Sequence, residues 1–144
     1  MRAMASIEQI REDFAFLDDW EDKYRYVIEL GEALTPFPEE ARDDAHRING
    51  CVSRVWLLPE TGGGPDPVIH LQGDSDAHIV RGLVAIMLAL YSGRRASEII
   101  ATDAEATMAA LGLNEHLTPQ RANGLRSMVK RIKAEAQVAL SQVP

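Results

Sequence analysis

The 144-residue chain has one cysteine, Cys51. A single thiol cannot form a disulfide framework within the chain, a four-cysteine zinc site or an iron–sulfur cradle. Basic residues are also in deficit: 15 Lys and Arg against 22 Asp and Glu give a formal net charge of −7. That balance argues against a nucleic-acid binder, whose footprint is a basic patch, and against a polybasic membrane anchor. Long apolar runs are missing too. The longest uncharged stretch, Gly82 to Gly93, has twelve residues, whereas a membrane span needs about 20. The first residues lack the continuous apolar segment of a secretory signal and carry acids from Glu8 onward. The expected location is the cytoplasm, where thiols stay reduced. What is present is an ordinary globular composition, 46% hydrophobic and 26% charged, sufficient for one domain with its own core.

Periodicity supplies the elements. Ser6 precedes Ile7, Ile10, Phe14 and Leu17 at helical spacing, and Ser6 with Gln9 fits a capping box. Trp20, Tyr24, Val27, Leu30 and Leu34 predict a second helix, which Pro36 and Pro38 end because neither can donate a backbone bond. Glu39 to Arg47 reads as a short helical turn. Cys51 to Leu58 is β-branched and aromatic without a helical stripe, so it predicts a strand beginning after Gly50. Pro59 to Pro67, containing Gly62-Gly63-Gly64, predicts a loop to a second strand at Val68–Gln72. Asp74-Ser75-Asp76 reads as the cap of a nearly all-apolar helix from Ala77 to Tyr91. Short helices at Ser97–Ile100 and Asp103–Leu111 follow, then a long one opening at Thr118-Pro119. The expected fold class is α+β, a small antiparallel sheet packed by several helices, in a single domain over residues 1–144.

By composition, Cys51 reads as a small buried hydrophobe, the usual fate of a free cysteine. Its position after Asn49-Gly50, at a turn or loop end, argues for function instead. A Cys–His nucleophile pair would need His46, His70, His78 or His116 nearby, and no protease-like signature surrounds Cys51. The four histidines are scattered without a His-x-x-x-His pair, which gives no metal motif. Asp74 and Asp76 could be paired carboxylates, but acids before a helix more simply satisfy its free amides. The triple glycine is not followed by Lys-Ser/Thr, so it is no phosphate loop. Arg94-Arg95 reads as solvated surface.

Four ordered blocks carry more than this. WEDKYRYVIELGEALTPFPEEAR, INGCVSRVWL, LQGDSDAHIVRGLVAIMLALYSG and HLTPQRANGLRSMVKRI together resemble the SufE family of sulfur-acceptor proteins over nearly the whole chain. The resemblance implies a fold similar to IscU-type cluster scaffolds and a role as an accessory protein, not itself an enzyme, in iron–sulfur cluster assembly. It implies a partner, a pyridoxal-phosphate cysteine desulfurase of the SufS or CsdA type, and a downstream sulfur acceptor on the assembly scaffold. No cofactor is expected on this chain, since the desulfurase carries the pyridoxal phosphate. The acceptor cysteine maps to Cys51, with Gly50, Ser53, Val55 and Trp56 as motif neighbours. Asp74 and Arg121 map to the surface around the acceptor loop, as candidates for positioning it or contacting the partner. Residue 49 is Asn where Gln is common in the family, a swap of one amide for another. A non-covalent activator of the desulfurase is the competing reading. A cluster scaffold is a third, which a single cysteine disfavours. Thiolate attack on a persulfide needs one nucleophile and no metal. Because a persulfide is oxidation-prone, the Gly50-Cys51 loop is expected to alternate between sheltered and exposed positions.

Overall fold

The computed structural model describes residues 5–50 and 53–141. Among these, six α-helices surround a three-stranded sheet, an α+β fold. The helices are α1 (Ile7–Phe16), α2 (Trp20–Glu32), α3 (His78–Tyr91), α4 (Ala96–Ala101), α5 (Ala104–Ala110) and α6 (Pro119–Ser141). The strands are β1 (Val55–Thr61), β2 (Val68–Ser75) and β3 (Arg94–Arg95), antiparallel in the order β1-β2-β3.

Local chemistry explains most boundaries. Ser6 Oγ accepts from the Gln9 amide at 3.1 Å and starts α1. The reciprocal half of the expected capping box is not made, because the Gln9 side chain donates to Asp13 instead. Asp19 caps α2 and Asp103 caps α5. Thr118 Oγ1 accepts from the Arg121 amide at 3.2 Å, with Pro119 as the first helical residue of α6.

Three expectations are corrected. The first strand begins at Val55 and runs through Pro59 to Thr61, past its expected end at Leu58. Ile48 N donates to Val55 O and Leu57 N to His46 O, so odd-numbered residues of β1 point their backbone groups away from β2. Pro59 shares that direction, and its missing N–H removes no bond to the sheet. The second strand extends to Ser75, so Asp74 is a strand residue; α3 begins after Ala77 with no side-chain cap. Arg94–Arg95 is a third strand, pairing with Ile69 and Val68. Two residues are too few for an alternation pattern to reveal.

The core lies between α3 and the sheet, with α1, α2, α4 and α6 closing over it. Leu57, Ile69, Ile86, Met87 and Tyr91 are fully buried there. Helices α2 and α3 cross in near backbone contact: a Cβ on Gly82 would lie 2.0 Å from the Val27 carbonyl oxygen. No helix among the described residues is long and apolar enough to cross a membrane.

Candidate functional site

The expected acceptor, Cys51, and its neighbour Val52 lie outside the described residues. The chain on either side is well tied. Ile48 N donates to Val55 O and Leu57 N to His46 O, each at 2.9 Å, with Arg47 bridged to Trp56. Residues 46–48 therefore run as an outer rung on β1, and the connection from Asn49 to Arg54 is closed at its base by the Ile48–Val55 bond. The expected helical turn from Glu39 to Arg47 is reduced to a 3-10 turn at Glu39–Ala41. The rest of that segment spends its backbone bonds on β1.

Each limb of the connection has its own anchor. On the near side, Arg131 Nη2 donates to Ala45 O at 2.8 Å, and one helical turn earlier Ser127 abuts Gly50. Gly50 has φ +90°, and a Cβ there would stand 2.6 Å from Ser127 Oγ, so glycine is required twice over. On the far side, Arg54 N donates to Asp76 Oδ1 at 3.0 Å and Asp76 N to Arg54 O at 3.2 Å. Asp76 thus fastens the returning limb and does not cap α3.

Ser53 and Val55 lead from this connection into a cavity of about 200 Å³ between β1, α3 and α6. Leu83, Leu125 and Met128 supply apolar walls, and Arg121, a half-buried residue, brings a guanidinium. That guanidinium has no hydrogen-bond or ion-pair partner among the described residues. A cation with no partner among the described residues, beside an apolar wall, favours an anionic guest.

Asp74 stands apart from the cavity. Only 8% exposed, it receives Arg42 Nη2 at 2.6 Å and the Ser75 amide at 2.8 Å. Arg81 Nε lies 2.9 Å away but out of line for an N–H bond, so that contact is ionic. Hydrogen bonding to Asp74 raises the Arg42 pKa further, and the guanidinium lies over Trp56 at 5.0 Å from the ring centroid. Trp56 is opposite Asp74 in the β1–β2 register. The carboxylate therefore locks the strand that leads out of the connection.

Of the sequence candidates, Gly50, Ser53 and Arg121 gather around α6 and the cavity, whereas Asp74 acts within the sheet. Ser127, Arg131 and Asp76 were not anticipated as anchors. The first two carry no local pattern that separates them from an ordinary solvated helix face. The histidines are dispersed. His46 Nδ1 is 2.6 Å from Asp43, which lowers the Asp43 pKa, His116 stacks on Trp20 at 4.1 Å, and His70 and His78 are exposed. No three metal-ligating side chains cluster among the described residues.

Comparison with known proteins agrees with the block pattern. The sequence model of SufE, described as an Fe-S metabolism associated domain, matches residues 8–136. An uncharacterized SufE-like protein of Rhizobium etli is 60% identical over 136 residues, spanning 94% of this chain and 92% of its own length. A second, from Rhizobium meliloti, is 58% identical over 135 residues, spanning 93% and 96%. A hypothetical protein from Thermus thermophilus, solved in solution, superposes with a TM-score of 0.75, covering 98% of this chain and all of its own. Its identity is 20%, so that likeness is one of fold.

Proposed function

The chain belongs to the SufE family, associated with Fe–S metabolism, and from that premise we propose that it is the sulfur acceptor of a pyridoxal-phosphate cysteine desulfurase. Cys51 takes the persulfide sulfur and relays it to a downstream acceptor on the cluster-assembly scaffold, which clears and so stimulates the desulfurase. One observation carries the reading: the chain's single cysteine stands in a connection whose described flanks adjoin α6, Gly50 against Ser127 and Ser53 in the wall of the cavity holding Arg121.

The step balances without a metal or an external redox agent. The Cys51 thiolate attacks the terminal sulfur of the partner's cysteine persulfide. A new S–S bond forms at Cys51, the old S–S bond breaks, and the partner's cysteine leaves as a thiolate. Onward transfer repeats the exchange with the next thiol. A sulfur anion carried into the cavity would meet the Arg121 cation, which favours the anionic form, and apolar walls that limit access by water and oxidants. Gly50 and Ser53 set the connection's path. Asp74 is a positioning residue, acting through Arg42 and Trp56.

Intact mass after incubation with L-cysteine and a SufS-type or CsdA-type desulfurase tests the proposal. The expected result is a gain of one sulfur atom, reversed by reductant and absent in Cys51→Ser, with desulfurase stimulation lost in the same variant. Full stimulation by Cys51→Ser without mass gain would overturn it in favour of a non-covalent activator.

A further inference from the structure

A second cavity, of about 260 Å³, opens between α5, the Asn114–His116 turn and α6. Leu125 is the only described residue that lines both cavities. The floor of the second is apolar, with Met87, Met108 and Val129 prominent. Its charged rim is unbalanced. Glu105 is occupied by Arg126, whose Nε lies 2.8 Å from Oε1. Asp103 Oδ1 accepts the amides of Glu105 and Ala106 at 3.0 and 3.3 Å. Lys130 and Lys133, also on the rim, have no ion-pair or hydrogen-bond partner among the described residues.

Around this cavity Arg126, Lys130 and Lys133 outnumber Asp103 and Glu105 by one, a local reversal of sign in a chain of net charge −7. We propose that this cavity binds a small amphipathic carboxylate, with its apolar body on Met108, Leu117 and Val129, above the buried Met87, and its anion between Lys130 and Lys133. The lysine stems can lie along the apolar rim while their charged ends stay at the opening, which suits a ligand with one anionic end. The volume is below the usual range for drug-sized ligands, about 300–1,000 Å³, and so limits the guest to a short body. The assignment does not depend on sulfur acceptance.

Methionine-methyl NMR of the full chain titrated with sodium octanoate separates the cavities, because Met87 and Met108 line this one and Met128 lines the other. Saturable shifts at Met87 and Met108, with Met128 unmoved, are expected. Lys130→Gln/Lys133→Gln should weaken octanoate about tenfold or more by removing its charged partners. Lys130→Arg/Lys133→Arg keeps the charge and should bind as the parent does, which also controls for folding. Octanol, the neutral counterpart, should bind the parent no better than octanoate binds the Gln pair. Shifts only at Met128, octanol binding equal to octanoate, loss of binding in the Arg pair, or no saturation would each overturn the proposal.

Discussion

Gly50 lies so close to Ser127 that a Cβ on residue 50 would stand 2.6 Å from the serine Oγ. This contact sets the approach of the near limb to α6 immediately before Cys51. Gly50→Ala incurs two separate costs, a left-handed backbone unfavourable to alanine by about 1 kcal/mol or more and the collision itself. Ser127→Ala removes only the second, since the serine Cβ would sit at an ordinary 3.5 Å. Gly50→Ala is therefore expected to slow sulfur uptake, and Gly50→Ala/Ser127→Ala to recover part of it. Rates of mass gain in the two variants measure this. Equal rates would show that the contact does not govern the approach.

Arg131 adds a second tie one turn along α6, through its 2.8 Å bond to the Ala45 carbonyl. The bond is exposed, so removing it should cost about 1 kcal/mol locally and little globally. In Arg131→Met, hydrogen exchange at the Ile48 amide, which donates to Val55, should rise about fivefold. The Ile86 amide in α3 should keep its protection. Unchanged exchange at Ile48 would mean that the β1 rung holds the limb without help from α6.

Those two anchors explain what could be read in the sequence. Signals confined to a few neighbouring residues were legible: Ser6 and Thr118 do start helices, and the apolar run after Ala77 is the central helix. The four ordered blocks, the one around Cys51 among them, carry the family resemblance without any geometry. Signals that depend on distant partners were not legible. Asp74 and Asp76 have the local look of helix caps, but their partners are Arg42, 32 positions away, and Arg54, 22 positions away. Arg131 meets Ala45 across 86 positions. Pro59 reads locally as a loop residue, because the outward direction of its nitrogen follows only from the bonds of Val55 and Leu57 to Ile48 and His46.

The Asp74 cluster should be a measurable part of stability. Asp74→Asn preserves size and can still accept from the Ser75 amide, but it leaves Arg42 and Arg81 without their shared counter-charge. Removing one partner of a buried ion pair typically costs about 3–5 kcal/mol; with both arginines partly exposed, about 2 kcal/mol is expected here. The urea midpoint should fall accordingly. Asp74→Asn/Arg42→Met should be less impaired than the sum of its single changes, because each removes the same contact. Strict additivity would mean that the two side chains do not stabilise one another.

Alkaline pH should destabilise the fold through Tyr91, which is buried, and Tyr26, which is partly buried. Tyr91 is fully buried with its hydroxyl donating to Thr102 O at 3.0 Å, and burial, with the charge of Asp103 adding to it, pushes its pKa up from 10.0 to about 12. Tyr26, bonded to Asp13 at 2.5 Å, is raised as well, by burial first and then by that bond. Both folded-state values lie above the unfolded one, so the unfolded chain loses its phenolic protons first. Stability from this source is complete below about pH 10 and is lost as pH climbs toward and through the folded values. Urea midpoints measured from neutral pH into that window should fall, and Tyr91→Phe should flatten the slope while costing stability at neutral pH through the lost hydroxyl bond. An undiminished slope in both Tyr91→Phe and Tyr26→Phe would assign the alkaline loss to other groups.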